Sequence, residues 1–284
     1  MGGESLRFDG QVAVVTGSGR GLGESYARLL ARLGARVVVH DAGVDKDGAG
    51  GDQLLAASVA DRIRAEGGHA TSSSVNLLDD GACEELVADA VDRFGRLDVL
   101  VHNAGVVRWE NPDDPSDEIW RHTMAVNADS GFRLIRAALP QMRAQRYGRI
   151  VLTVSGRAAR LQDAAAGLVA YSAAKMAVYG LMIGFKAGVM DQDIQINAIS
   201  PAAATRVLVR DAPHLTTDSV APGVAMLAAP AMSTSGNVLA AAGGTFSLDH
   251  WQEGPTVDLG PRPTLAAVHD AWGSMQDHHD GACP

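Results

Sequence analysis

The stretch QVAVVTGSGRGLGESYARLLARLGARVVVHD (residues 11–41) decides the fold. Val12 to Val15 form an unbroken apolar run, too short for a helix and without the polar alternation of a strand that has one wet face. Such runs mark strands covered on both sides. The eight residues Thr16-Gly17-Ser18-Gly19-Arg20-Gly21-Leu22-Gly23 hold four glycines, after which apolar residues return at helical spacing as far as Leu33. RVVVHD then supplies a second apolar run. Strand, glycine turn, helix and strand make the repeating unit of a parallel sheet, because parallel neighbours need a crossover connection.

Outward from this unit the alternation continues. A glycine-rich loop (42–52) leads to a helix ending near 66–68, then come ATSSSVN, the amphipathic DDGACEELVADAVDRFG and the buried run LDVLVHNAG. A long helix around 117–144, RIVLTVS (149–155), a helix near 169–190, IQINAIS up to Pro201 and GNVLAAAGG (236–244) complete the series. The expectation is an α/β fold: one doubly wound domain over residues 1–244, a parallel seven-stranded sheet with helices on both faces. Residues 245–284, with scattered Gly and Pro and with Trp251 and Trp272, are expected to be a C-terminal extension packed on the same domain. Its last residues contain His278, His279 and Cys283, which read as a polar chain end rather than a metal site, so no metal is expected.

Composition narrows the function classes. The 284 residues carry 24 Lys+Arg against 33 Asp+Glu, a formal charge of −9, with 46% hydrophobic and 20% charged residues. That balance excludes a disordered chain and argues against broad nucleic-acid binding, which needs clustered cations. No apolar run approaches the roughly 20 residues of a membrane helix, and MGGESLRFDGQ has no signal-like apolar core. Two cysteines, Cys83 and Cys283, make no disulfide framework. A cytoplasmic protein acting on a small molecule, without nucleic-acid or membrane partners, is the expectation.

Two groups of residues carry chemistry. The turn Gly17–Gly23 brings backbone N–H groups and a positive helix end to a point where a pyrophosphate can sit. Asp41, closing the second strand, can accept hydrogen bonds from ribose hydroxyls and repels a 2′-phosphate, which favours NAD over NADP. Arg20 and a protonated His40 would partly offset that repulsion. Asn103-Ala104-Gly105 follows the fourth strand with small residues that leave room for a bound adenosine. In the second group, Tyr171-Ser172-Ala173-Ala174-Lys175 sets a phenol and an ammonium four apart on one helical face. A neighbouring positive charge lowers a phenol's pKa from near 10 toward the range of acid–base catalysis. Ser155 ends a strand where it can hold a reacting oxygen, and Asn127 can hold a water that connects Lys175 to solvent.

Taken together, these motifs resemble the short-chain dehydrogenase/reductase family over almost the whole length, from LRFDGQVAVVTG to GNVLAAAGG. The resemblance implies a Rossmann fold and an oxidoreductase that interconverts a secondary alcohol and a ketone. It implies Tyr171 as acid–base, Lys175 as the pKa-lowering and ribose-binding residue, Ser155 as the carbonyl-orienting residue and Asn127 as the anchor of a proton relay. Gly17, Ser18, Gly19, Arg20, Gly21, Leu22, Gly23, Asp41, Asn76, Leu77, Asn103, Ala104, Gly105, Tyr171, Lys175, Pro201 and Thr205 are the positions it assigns to the cofactor, with Thr205 on the nicotinamide carboxamide. DAGVDKDGAGGD, SPAAATR and VAPGVAML resemble the branch containing the (3R)-hydroxyacyl-CoA dehydrogenase part of peroxisomal multifunctional enzymes, which implies NAD and a bulky substrate such as a 3-hydroxyacyl thioester, a steroid-like ring or a polyketide-like chain.

The sequence also departs from the family. His102 replaces a usual Asn, Asn76 a common Asp, and Ala202 a frequent Gly. The span between Ser155 and Tyr171 is longer than usual and alanine-rich, RAARLQDAAAGLV, and it borders the substrate pocket. Between Pro201 and Val220 the segment is short, which implies an open substrate side. A dense basic cluster for an acyl-CoA is absent from the sequence, although Arg108, Arg157, Arg160, Arg206 and Arg210 could gather near its mouth. The helix bearing Tyr171 continues as MAVYGLMIGFKAGVM, apolar nearly all round, which fits either an internal helix or pairing into a homodimer or homotetramer. A nucleotide-sensing protein without chemistry and a biosynthetic enzyme with an unusual reaction are the competing functional readings.

Overall fold

The computed structural model describes residues 6–44, 50–204, 212–251 and 253–276. The chain divides into two units, Met1–Asp249 and His250–Pro284. In the first, β1 (Val12–Thr16), α1 (Gly21–Arg32), β2 (Arg36–His40), α2 (Leu54–Ala65), β3 (His69–Ser73), α3 (Ala82–Phe94) and β4 (Val99–His102) alternate as the apolar runs predict. The long helix expected around 117–144 is one rod in three parts, α4 (Asp117–Met124), a π turn (Ala125–Asp129) and α5 (Ser130–Gln145). Then follow β5 (Gly148–Thr153), the short α6 (Gly156–Ala159), a 3-10 turn (Leu161–Asp163), α7 (Val169–Ala187), β6 (Ile194–Ala202), α8 (Ala221–Ala228), β7 (Val238–Ala242) and β8 (Thr245–Asp249). In the second unit the described helix is α9 (Leu265–Gln276).

The strands form a single sheet in the order β3-β2-β1-β4-β5-β6-β7-β8. Successive residues of β1 show why its apolar run is continuous. Ala13 and Val15 enter a core shared with Tyr26, Ala27 and Leu30 of α1 and Val224 of α8. Val12 and Val14 enter the opposite core, with Leu86 of α3, Leu134 and Ile135 of α5 and Val178 of α7. A polar residue at any of these positions would lose hydration on whichever side it faced. The order of connection reverses between β1 and β4, so the loops after these strands part and leave a crevice at their C-terminal ends.

The sheet has eight strands, not seven, and the eighth comes from the stretch assigned to the C-terminal extension. β8 pairs antiparallel to β7, with Ala242 opposite Thr245, so only Gly243 and Gly244 make the turn. Both have positive φ, 55° and 82°, the backbone that a two-residue hairpin of this kind requires. No crossover helix separates the two strands, and Phe246 and Leu248 stay largely exposed, so β8 lacks the signals that mark the parallel strands. Among the described residues no helix is long and apolar enough to cross a membrane, and no group of three His, Cys, Asp or Glu side chains is arranged to hold a metal. His278, His279 and Cys283 lie outside the described residues.

Candidate active site

A cavity of about 450 Å³ opens at the C-terminal ends of the strands, between the turn after β1 and the start of α7. One end is built almost entirely from backbone. Gly17 has φ +63°, and a Cβ there would lie 2.9 Å from Ala104 Cα. At Gly23 a Cβ would fall 2.2 Å from the Gly17 carbonyl oxygen and 2.7 Å from Asn103 Nδ2, so only glycine lets α1 close onto the turn. Asn103 locks β4 to the same turn: its Nδ2 donates to the carbonyls of Thr16 and Gly17, both at 3.0 Å, and its backbone N–H donates to Thr16 Oγ1 at 3.1 Å. No side chain caps α1 at Arg20, so its first N–H groups have no side-chain acceptor where Arg20, Gly21 and Leu22 line the cavity.

Asp41 borders the same end, buried, accepting from the Gly19 N–H at 3.0 Å and the Gly43 N–H at 2.9 Å. Two backbone donors therefore hold a carboxylate that lines the cavity. The protonated His40 expected beside it is absent: burial drives His40 below its ordinary value, and Nε2 sits 2.8 Å from the Val75 carbonyl, so the ring is a neutral donor. Arg20 donates to the Val44 carbonyl at 2.5 Å. Asn76 and Leu77 line the cavity, the Asn76 Oδ1 accepting from the Leu78 N–H at 3.1 Å. Of the glycine-turn positions, Ser18 turns inward, its hydroxyl 2.7 Å from the Val15 carbonyl, and Gly19 and Gly23 stand behind the lining.

The other end is made of side chains. Tyr171, Lys175, Ser155 and Asn127 all line it. Lys175 is buried and donates to the Thr153 carbonyl at 2.9 Å, with Nζ 5.7 Å from the centre of the Tyr171 ring. Burial pushes this lysine down to about 8. Ser155 caps α6, its Oγ accepting the Arg157 N–H at 3.3 Å, and lines the cavity together with Tyr171, whose pKa it pulls down. Asn127 lies in the π turn, a local widening that recurs at functional sites. Its Nδ2 donates to the carbonyls of Val106 (3.0 Å) and Thr123 (2.9 Å), while its buried Oδ1 has no partner. A Cβ on Gly105 would lie 2.6 Å from that Oδ1 and 3.4 Å from Lys175 Nζ, so the missing side chain is what lets the two groups share one space.

The electrostatics differ from the expectation on one point. Burial raises the Tyr171 pKa, and the Ser155 hydrogen bond and the Arg157 charge pull it partly back; Lys175 is not among the groups that act on it. The lysine's ammonium donates to the Thr153 carbonyl, and its own proton is loosened by burial. His102, the substituted position, is buried with Nε2 2.9 Å from Ser130 Oγ, and burial and the Lys175 charge push it down to about 3. It is a neutral strut between β4 and α5.

Pro201 lines the cavity, while Thr205 lies outside the described residues, as do Arg206 and Arg210. The arginine cluster does not form among the described residues: Arg157 lines the cavity, Arg160 pairs with Asp163 and Asp249, and Arg108 is not in the lining. The lining also holds polar and aromatic side chains that the sequence did not single out, among them Trp109 and His122. Trp109 carries the Arg157 guanidinium 5.9 Å above its ring, and burial and the Arg108 charge hold His122 below its usual value. For Trp109 the only signal in the sequence is an isolated aromatic in the loop after β4; His122 has none, since nothing sets it apart from the other polar residues of α4.

The residues present fit a dinucleotide: an uncapped helix start, glycines that exclude Cβ atoms, a carboxylate at the far end of β2 and an unpartnered buried amide oxygen beside the ammonium. Comparison with known proteins agrees. The short chain dehydrogenase family profile matches residues 11–212. Peroxisomal multifunctional enzyme type 2 of Drosophila melanogaster is 35% identical over 281 residues, which make 96% of this chain and 46% of that protein. A short chain dehydrogenase from Mycobacterium avium has a crystal structure with TM-score 0.82 and 34% identity, covering 94% of this chain and 95% of that one. The 7α-hydroxysteroid dehydrogenase complexed with NADH and 7-oxo glycochenodeoxycholic acid gives TM-score 0.76 at 26% identity, covering 86% and 97%. The chain spans less than half the length of the fly, mouse and yeast peroxisomal enzymes it matches. Glycine turn, tyrosine–lysine helix and matched relatives converge: the chain belongs to the short-chain dehydrogenase/reductase family, oxidoreductases acting on CH–OH groups.

Proposed function

We propose that this chain interconverts a secondary alcohol and a ketone with NAD(H), on a bulky substrate such as a 3-hydroxyacyl thioester, a steroid-like ring or a polyketide-like chain. The observation that carries the reading is the meeting of Tyr171, Ser155, Lys175 and Asn127 at one end of a cavity whose other end is the glycine turn and Asp41. NAD rather than NADP is supported by the Asp41 carboxylate, since a 2′-phosphate would meet a buried like charge that the neutral His40 does not offset and Arg20, in the same lining, offsets only in part. A bulky substrate is supported by the names of the relatives, a peroxisomal multifunctional enzyme and a dehydrogenase holding a bile-acid derivative.

When bound, the nicotinamide supplies the acceptor for the carbinol hydrogen and its electron pair. The chain's own residues manage the proton and the oxygen. In oxidation the Tyr171 oxygen accepts the hydroxyl proton, and in reduction it returns one to the carbonyl oxygen. The Ser155 hydroxyl, in the same cavity wall as that phenol, holds the same substrate oxygen. Lys175, with a pKa near 8, readily releases and regains a proton at neutral pH, and the unpartnered Asn127 Oδ1 accepts from a water that leads outward. Four of the other lining side chains at this end, Val106, Val107, Val154 and Leu168, keep competing water off the reacting carbon.

The apolar helix pairs outward in this reading. Ile183 on α7 and Phe132 on α5 are more than two-fifths exposed, and Gly180 and Gly184 face open space, which supports a homodimer or homotetramer built on these helices. The test of the function is a panel of ketones and secondary alcohols followed by NADH absorbance, with NADPH in parallel. Turnover of ring or long-chain substrates with NADH supports the reading. Tight NADH binding with silence across the panel would favour a nucleotide sensor instead.

A further inference from the structure

Glu110 stands outside the catalytic set, yet it holds the two helices that deliver it. Its Oε2 accepts the Ser116 N–H at 3.1 Å, and Ser116 is the residue that caps α4. Its Oε1 accepts the Ala170 N–H at 3.2 Å, in the first turn of α7, a helix with no side-chain cap of its own at Leu168. Both N–H groups belong to helix starts, where donors lack intrahelical partners and the partial charge is positive, so a carboxylate is the favoured acceptor. The backbone adds a third link. The Glu110 N–H donates to the Gly167 carbonyl at 3.0 Å, and Gly167, at φ +82°, comes so close that a Cβ there would lie 2.5 Å from the Glu110 carbonyl oxygen. At the other end of the same loop Arg157 lies over the Trp109 ring. The long segment between Ser155 and Tyr171 is thus tied at both ends to the dipeptide Trp109-Glu110.

The consequence lies in what these helices carry. α4 runs directly into the π turn that holds Asn127, and Tyr171 is the residue after Ala170. We propose that Glu110 is a positioning residue, which by clasping the starts of α4 and α7 keeps the Tyr171 phenol in place beside Ser155 in the cavity wall. The proposal rests on the reading of Tyr171 as the acid–base group. It assigns to a half-buried acid in the loop after β4 a role that neither the glycine turn nor the tyrosine–lysine spacing announces.

The phenol itself reports on the clasp. Around it stand Ser155 and Arg157 at the start of α6, Lys175 on α7, and His122 of α4 in the same cavity wall. Burial, which raises its pKa, outweighs the lowering by Ser155 and Arg157. Freeing the first turn of α7 therefore moves Tyr171 down, toward the ordinary phenol value of about 10. The experiment is a tyrosinate absorbance titration of the wild type, Glu110→Gln and Glu110→Ala, with Tyr171→Phe subtracted to isolate Tyr171 from Tyr26, Tyr147 and Tyr179. Glu110→Ala is expected to lower the Tyr171 midpoint toward the ordinary phenol value. Glu110→Gln keeps one acceptor oxygen and gives a smaller shift in the same direction. NADH affinity in both stays within about twofold of wild type, because the glycine turn is untouched. A Tyr171 midpoint identical in all three, in proteins that are folded by circular dichroism, overturns the proposal; should Glu110→Ala not fold, an unmoved midpoint in Glu110→Gln does so alone. The titration needs neither substrate nor cofactor, so its outcome is separate from a failure of Tyr171→Phe to lose turnover, which would reject the acid–base reading itself.

Discussion

The two ends of the cavity are made of different material. At the cofactor end, backbone does the shaping: Gly17 and Gly23 leave out Cβ atoms, Asn103 bonds two carbonyls, and Asp41 is fixed by two N–H groups. At the substrate end, side chains from four elements converge, and their placement depends on a long loop held by a few contacts. Backbone geometry at strand ends follows from the sheet and tolerates almost no change. Side chains hung on a loop tolerate many, and that is where specificity varies within one fold.

The rigid end is where a single change has the largest effect. Gly23→Ala puts a methyl 2.2 Å from the Gly17 oxygen, so stability is expected to fall by about 3 kcal/mol and NADH affinity by at least about a hundredfold. Denaturant unfolding and fluorescence titration measure both, and near-wild-type values would mean the turn is softer than its geometry implies. The buried ammonium comes next. Lys175 has a folded value of about 8 against an ordinary 10.5. Below pH 8 both states hold the proton and the burial cost is fully present. Between about 8 and 10.5 the unfolded chain binds more protons, so stability rises with pH. Relative to Lys175→Met, the wild type should therefore gain up to about 3 kcal/mol across that window, read from unfolding curves at several pH values. A difference that stays flat would show that Lys175 is not desolvated.

Smaller effects sharpen the contrast. Asp41→Asn keeps an acceptor for the backbone but removes the charge, and the NADPH-to-NADH preference should move about tenfold toward NADPH, measured as the ratio of dissociation constants. Leu161 on the loop tip is 91% exposed. Leu161→Ser should change stability by no more than about 0.5 kcal/mol, and a larger loss would mean the loop is packed as tightly as the turn.

The same contrast explains how much could be read in advance. Most strands were legible as largely apolar runs that feed both cores, the polar edge strand β3 (His69–Ser73) only by its place in the alternation, and Asp41, Asn103 and Gly105 because strand ends fix their place. β8 was not: its hairpin rests on Gly243-Gly244, and its outward apolar residues carry no burial signal. His40 resembled a cation, and only its burial against the Val75 carbonyl shows it neutral. Trp109, His122 and Glu110 owe their positions to a tertiary meeting of the loop after β4 with the start of α7, which no periodicity encodes. Among the described residues Arg160 turns to Asp163 and Asp249 rather than to the cavity lining, a pairing that no periodicity encodes either.

In the proposed mechanism catalysis turns on the proton held by one phenol. Replacing Tyr171 with Phe removes that oxygen and leaves the glycine turn, Asp41 and the core unchanged. NADH should bind with wild-type affinity while alcohol–ketone turnover falls by about a thousandfold. Turnover within about tenfold of wild type, at equal NADH affinity, would contradict it.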